Sequence, residues 1–391
     1  MKKFRLISGV CAIVVLVIIV SIFLPRNTYA KEEEYITVTN IYELNEALGG
    51  NHKISGNTLT LTSDVVLDYK SIDIDNYQDS KLVINLNGKT ISKANESMYM
   101  FYLGNCDSSL SHTDLYIKGT GTIRAKNTIF QLLWQNGDLY YIKPIFKGNI
   151  SYYSTDGSIV STDACVSMVI QNGYFFSENN QVLYDVASDI EFSSDLKKET
   201  AIVKISGGVI DGSCRIETKQ FEMTGGMING EADISCYKST FRGGIVNGKL
   251  VVSGVGPTAL YIKDRAVFNQ GVLLNTCELT TKVSGGTILA EDVGIVCQTY
   301  DPTYPISNKL YLTGGLISVT SSGSYGIYVN DPYQGWDEDV WRVYVKGGHI
   351  VSVGNDGRSA IRLNSQSKYS ISNNISSKDV MSGFNKFTST K

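Results

Sequence analysis

The stretch VKISGGVIDG (203–212), followed by FEMTGGMING (221–230) and TFRGGIVNG (240–248), states one phrase three times: an alternating apolar run, a glycine pair, then aliphatic residues. Ile210, Ile228 and Val246 stand 18 residues apart. Eighteen residues hold three strands of roughly 3 to 5 residues with tight corners, the least that one turn of a parallel β-coil needs. The phrase returns as TKVSGGTILA (281–290), LYLTGGLISV (310–319) and VYVKGGHIVS (343–352). Looser copies are VINLNGKTIS (83–92), LYIKGTGTIR (115–124), PIFKGNIS (144–151), VIQNGYFF (169–176) and LYIKDRAVFN (260–269). Aligned on the apolar residue after the glycine, they give Ile91, Ile123, Ile150, Phe175, Ile210, Ile228, Val246, Phe268, Ile288, Ile317 and Ile350, eleven turns in all. Intervals longer than 18 read as loops inserted at corners.

Alternation assigns the faces. The aligned residue is apolar in every copy and points inward. Asp211, Asn229 and Asn247 follow it in three successive copies. At a strand spacing of about 4.8 Å such side chains can hydrogen-bond up a column. Glycine belongs at the corners because the chain turns there with positive φ. At the start, ITVTNIYELNEALGGN (36–51) offers Asn40 as N-cap, Glu43 for a capping box, an apolar face of Ile41, Leu44, Ala47 and Leu48, and Gly49 as a stop. The spacing therefore predicts a short helix that caps the exposed end of the coil.

The chain has 391 residues, with 37 Gly, 6 Pro, 3 His, 7 Cys and 24 Tyr, at a formal charge of −3. Lys2, Lys3 and Arg5 precede an uncharged run, residues 6–24, and Thr28, Tyr29 and Ala30 offer a cleavage point. This reads as a secretory signal, or as a membrane anchor if it stays uncleaved. Removing residues 1–30 takes four basic residues and no acidic ones, which moves the charge from −3 to −7. A mildly acidic exported chain is a poor nucleic-acid ligand, and that class is set aside. The C-terminal residues show no apolar tail and no wall-sorting signal. The expected organisation is a signal or anchor (1–30), a helical cap (31–57), a parallel β-helix (58–365) and a C-terminal cap or tail (366–391). Eleven turns would make a rod of roughly 50 Å.

The entry TLTLTSDVVL (58–67) with KLVINLNGKTI (81–91), and the recurring Gly-Gly-x-Ile corners, resemble the exported right-handed parallel β-helix proteins of Gram-positive bacteria, within the pectate-lyase-like superfamily. The resemblance covers roughly residues 36–365. It implies an all-β right-handed parallel β-helix with a short N-terminal helical cap. The enzymes of that superfamily would carry an NTD motif, a paired Asp-Asp, GHG and R-x-K on successive turns. This chain has no NTD, no Asp-Asp and no GHG, and its one R-x-K match, Arg124-Ala125-Lys126, stands without them; the nearest to GHG is Gly347-Gly348-His349-Ile350, and no two aspartates are adjacent. Lyases need acids for Ca²⁺ and a basic residue, and glycosidases need converging carboxylates. A noncatalytic, adhesin-like reading therefore comes first, and no catalytic residue is assigned. A lyase or glycoside hydrolase with an atypical site, and a surface spacer without a ligand, stand as alternatives.

Two inserts hold the expected ligand site. GIVCQ is followed by TYDPTYPISN (299–308), and GIYVN by DPYQGWDEDVW (331–341). Both follow the same arm of the coil and should project on one side. They gather Tyr300, Tyr304, Tyr333, Trp336 and Trp341 beside Asp337, Glu338 and Asp339. Rings stack on a pyranose while acids accept from its hydroxyls or hold Ca²⁺, so a cell-surface glycan or polysaccharide is the expected partner. The alternative is that the rings fold back onto the coil. A weaker second group lies in GNCDSSLSHTD (104–114) and WQNGDLYYIKP (134–144), with Trp134, Tyr140 and Tyr141. No cofactor and no dedicated metal site is expected, with Ca²⁺ the one ion the acids could take. His349 reads as an outer-face residue, and His52 and His112 as loop residues.

Cys236, Cys277 and Cys297 fall 8, 9 and 9 residues after their aligned apolar residue. They are expected in one inward column as free thiols, with Cys277–Cys297 the alternative bridge. The expected product is a secreted or surface-displayed monomer that touches a membrane only through residues 6–24.

Overall fold

The computed structural model describes residues 34–95, 99–132, 141–162, 167–185, 202–299, 307–321, 324–330, 341–352, 361–362 and 368–371. These are almost all β, joined in one large sheet within the unit Tyr35–Lys391. An antiparallel hairpin, Lys53–Ser55 with Thr58–Thr60, precedes the repeats. Thereafter strands pair in parallel, each with the equivalent strand of the next copy.

Three sets of strands stack in this way. The first begins with Lys70–Ile74, Tyr99–Leu103 and Thr128–Leu132. The second begins with Thr58–Thr60, Lys81–Asn85, His112–Lys118 and Tyr141–Phe146. The third holds Val65–Val66, Lys89–Lys93, Thr120–Ala125, Asn149–Ser154 and Tyr174–Ser177. From Ile202 onward the sets run into one another through the corners, as in Cys214–Ile228 and Ala232–Val246.

Each set carries an inward apolar column, and these columns make the core. The third-set column runs Val65, Ile91, Ile123, Tyr152, Phe175, Ile210, Ile228, Val246, Phe268, Ile288, Ile317 and Ile350. Ten of its members are those expected from the sequence. In the remaining copy the register sets Tyr152 beside Ile123, while Ile150 lies two residues earlier beside Gly121. Both side chains are buried, so the slip of two keeps the face and changes only the position along the strand. Val65 adds a copy that has no glycine to announce it. In the second set, Ile84, Ile117, Phe146, Ile170, Ile205, Met223, Phe241, Ile262, Val283, Leu312 and Val345 form the matching column.

The glycine pairs stand where the second set turns into the third, at shifts of register. At Gly225-Gly226 the two residues are required for different reasons. A Cβ on Gly225 would lie 2.5 Å from the Ser206 carbonyl oxygen of the preceding copy, and Gly226 has φ +83. The first glycine thus permits close approach, and the second permits the turn as well as a close approach of its own, since a Cβ there would lie 2.8 Å from the Gly207 carbonyl oxygen.

The helix forms at Ile41–Ala47. Asn40 Oδ1 accepts from the Tyr42 and Glu43 amides at 3.0 and 3.1 Å. The Glu43 carboxylate reaches one residue further back than a capping box does, accepting from the Thr39 amide at 2.7 Å. That bond holds the Glu43 carboxyl below its usual range. Ile41, Leu44 and Leu48 are buried against the core, and Gly49 ends the helix at φ +111. Among the described residues no helix is long and apolar enough to cross a membrane.

The cysteines depart from expectation. Cys297 stands in register with Leu274, and Cys236 with Thr218, so Cys236, Cys277 and Cys297 share no column. The reason is loop length: Val272 lies four residues after Phe268, whereas its partner Ile295 lies seven after Ile288. Equal counts along the chain therefore reach unequal positions around the turn. Cys106, Cys214, Cys236 and Cys297 are buried free thiols, which leaves no Cys277–Cys297 bridge. Burial pushes the Cys236 thiol up to about 11 and that of Cys214 to about 12. Cys165 lies outside the described residues.

Candidate binding face

Because the second set buries alternate residues, its other residues form outward columns. One runs Lys81, Asp114, Lys143, then Ile202, Gln220, Lys238, Ala259, Thr280, Lys309 and Arg342. Its neighbour runs Val83, Tyr116, Ile145, Val169, Lys204, Glu222, Thr240, Tyr261, Lys282, Tyr311 and Tyr344. The residues just past the inward column add Lys118, Lys147, Arg242, Lys263 and Lys346. These three columns hold twelve basic side chains against the carboxylates of Asp114 and Glu222. On a chain of net charge −3, this face has the opposite sign to the whole.

The tyrosines are spaced among the cations. Lys81 Nζ lies 5.3 Å from the Tyr116 ring centre, and Lys263 and Lys282 lie 5.1 and 5.9 Å from that of Tyr261. Tyr311 and Tyr344 stack at 4.7 Å with ring planes 9° apart. Stacked in this way, each ring covers a face of the other and leaves edges and hydroxyls outward.

Two clefts cut this face. The central one, about 370 Å³, is lined by Lys204, Glu222, Lys238, Thr240, Arg242, Tyr261 and Lys263 among others. Arg242 lies 3.6 Å from Glu222 and 3.8 Å from Asp264. The second cleft, also about 370 Å³, shares Ile202 and Lys204 with the first and continues to Ser111, His112, Tyr141 and Lys143. There Lys143 Nζ pairs with Asp114 at 2.7 Å and lies 3.2 Å from His112 Nε2. Tyr141 stacks on His112 at 5.6 Å. Burial, with Lys143 adding to it, holds the His112 imidazole below its usual value, against the pull of Asp114. His112 thus lies in the strand His112–Lys118 and not in a loop, which corrects the expectation for it.

Of the residues expected to bind a ligand, Tyr300, Tyr304, Tyr333, Trp336, Asp337, Glu338 and Asp339 lie outside the described residues, as do Trp134 and Tyr140. The strands that lead into the two inserts do pair, Val293–Gln298 with Tyr325–Val329. Trp341 is fully buried and belongs to the core, so it has no ring to offer a solvent-borne ligand. Its corner in the preceding copy is filled by Asn308, whose side chain accepts from the Leu279 amide at 2.7 Å and donates to the Thr276 carbonyl at 2.7 Å. The returning end of each insert thus plugs a corner.

His349 is exposed beside Leu316, as its outer-face position implied. Among the described residues no group of three His, Cys, Asp or Glu is placed to hold a metal ion. The Glu217 carboxyl is raised by burial and paired with Arg215 at 2.7 Å on the first set of strands.

The basic face escaped a reading based on net charge, yet its signal is in the sequence. Tyr-x-Lys recurs at Tyr116-Ile117-Lys118, Tyr261-Ile262-Lys263 and Tyr344-Val345-Lys346, each time just before the corner. No protein-family model matches this chain, and no curated protein or solved structure matches it.

Proposed function

We propose that residues 58–365 form a right-handed parallel β-helix that is secreted or displayed at the cell surface and binds a glycan without cleaving it. The observation that carries this reading is the outward face of the second strand set, where cations and tyrosines recur copy after copy. Parallel pairing repeats each outward position at about 4.8 Å, so one binding contact becomes a line of them. An extended polymer is the ligand such a line suits. The inward columns and glycine corners support the coil, and the basic start before residues 6–24 supports export.

A glycan array with the protein, run with and without Ca²⁺, tests the reading together with a reducing-sugar assay on the bound polymers. Binding without new reducing ends is expected. New reducing ends would favour the lyase or hydrolase alternative, and an absence of binding would favour a spacer.

A further inference from the structure

We propose that the central cleft is a subsite for a phosphate or sulfate ester carried on a linear glycan, an inference that rests on the glycan-binding reading. Lys204, Lys238, Arg242 and Lys263 line one opening where, among the described residues, Glu222 is the one lining carboxylate. Arg242 is shared between Glu222 and Asp264. Lys204 and Lys238 have no ion-pair partner among the described residues. The cleft therefore carries more positive charge than its own acid balances, with the Thr240 hydroxyl as a neutral donor within it.

The kind of cation indicates the kind of anion. A carboxylate is planar with two oxygens, and a single arginine fork matches it. Here three of the four cations are lysines, which act as point charges with rotatable donors. Several such charges around one opening suit a tetrahedral ester group, whose free oxygens, two in a phosphodiester and three in a sulfate ester, are spread around a tetrahedral centre. The cleft is also continued on both sides. Lys204 is shared with the cleft that holds Lys143, and Lys282, Lys309 and Arg342 extend the cations through later copies. Esters repeated along a polymer would meet cations repeated along the face.

The tyrosines argue for a glycan over a nucleic acid. Single strands are held by bases stacked on open ring faces. Tyr311 and Tyr344 cover one another, and Tyr261 is flanked by Lys263 and Lys282, so what these rings present is mainly edges and hydroxyls. Those suit sugar or polyol oxygens.

The test titrates the full chain with poly(glycerol phosphate), dextran sulfate, polygalacturonate, neutral dextran and a DNA duplex at matched length and ionic strength. The two ester polymers separate phosphate from sulfate as the source. At least one of them is expected to bind about tenfold or more tighter than polygalacturonate. Lys204→Gln with Lys238→Gln should lose about tenfold and reduce the salt dependence, while Lys238→Arg should retain binding. Lys53→Gln, in the hairpin, should change nothing. Equal or tighter binding of polygalacturonate or DNA would overturn the inference, as would a folded double variant that binds like the parent. Binding of neutral dextran alone would overturn it and leave the glycan reading standing, whereas no binding to any glycan would remove both.

Discussion

Asn229 donates its side-chain amide to Asp211 Oδ1 at 2.7 Å across one copy of the repeat. Asn247 donates in turn to Asn229 at 2.8 Å, and Asn269 to Asn247 at 2.6 Å. Every amide in this ladder passes its donor in the same direction. The last acceptor needs no donor of its own, which is the chemistry of a carboxylate. Tyr174 donates its hydroxyl to the other Asp211 oxygen. The hydrogen bonds from Tyr174 and Asn229 hold the Asp211 carboxyl below its usual value. A depressed carboxyl contributes stability above its unfolded pKa and loses it as pH falls through the folded one. Asp211→Asn should therefore cost about 1 kcal/mol at neutral pH in urea unfolding. It should also flatten the loss of stability below about pH 4, the region of the unfolded carboxyl.

The glycine pair makes a paired prediction. Gly226→Ala places a Cβ in the left-handed region and should cost about 1 to 2 kcal/mol. Gly225→Ala drives a Cβ to 2.5 Å from the Ser206 carbonyl oxygen, where backbone and not a flexible side chain must give way. Gly226→Ala also brings its Cβ to 2.8 Å from the Gly207 carbonyl oxygen, so it adds a backbone clash to the strained φ and should be the less stable of the two in thermal melts. The reverse order would mean that the closer approach at Gly225 outweighs the turn.

What the sequence made legible follows from what repeats. Inward residues recur because every copy buries the same position, so ten of the twelve members of one column could be aligned from their glycine corners alone. Val65 was missed because Thr62-Ser63-Asp64 turns the chain there without glycine. Tyr152 was missed because its hydroxyl makes it look like an outward residue. The binding face was hidden because charge was summed along the chain, while the ligand would meet it one column at a time. The shared cysteine column failed because loop lengths differ between copies, and counting along the chain does not measure register between them.

Tyr152 gives a test of packing. It is fully buried between copies, stacked on Phe175 at 4.5 Å with planes 9° apart, and its hydroxyl finds no hydrogen-bond partner among the described residues. A buried hydroxyl without a partner costs about 1 to 3 kcal/mol. Tyr152→Phe keeps the ring and removes that cost, so the variant should melt at a higher temperature. A lower melting temperature would show that the hydroxyl is satisfied in solution.

His112 sets the pH dependence of the face. Burial and Lys143 favour its neutral form, with Nε2 3.2 Å from Lys143 Nζ and 3.3 Å from Asp114 Oδ1. Because the folded pKa is depressed, its contribution to stability is present above the ordinary histidine value and is lost as pH falls through the depressed one. A bound polyanion works in the opposite sense: it offsets Lys143 and favours the imidazolium. Binding therefore takes up a proton, and affinity should rise about three- to tenfold between about pH 7.5 and about pH 5.5, the window of a histidine. Dextran sulfate is the suitable probe because its own charge is constant across that range. In His112→Gln the rise should disappear while binding at pH 7.5 stays near that of the parent. If the rise persists unchanged in that variant, the proton is taken up elsewhere and the cleft beside Lys143 does not hold the polymer.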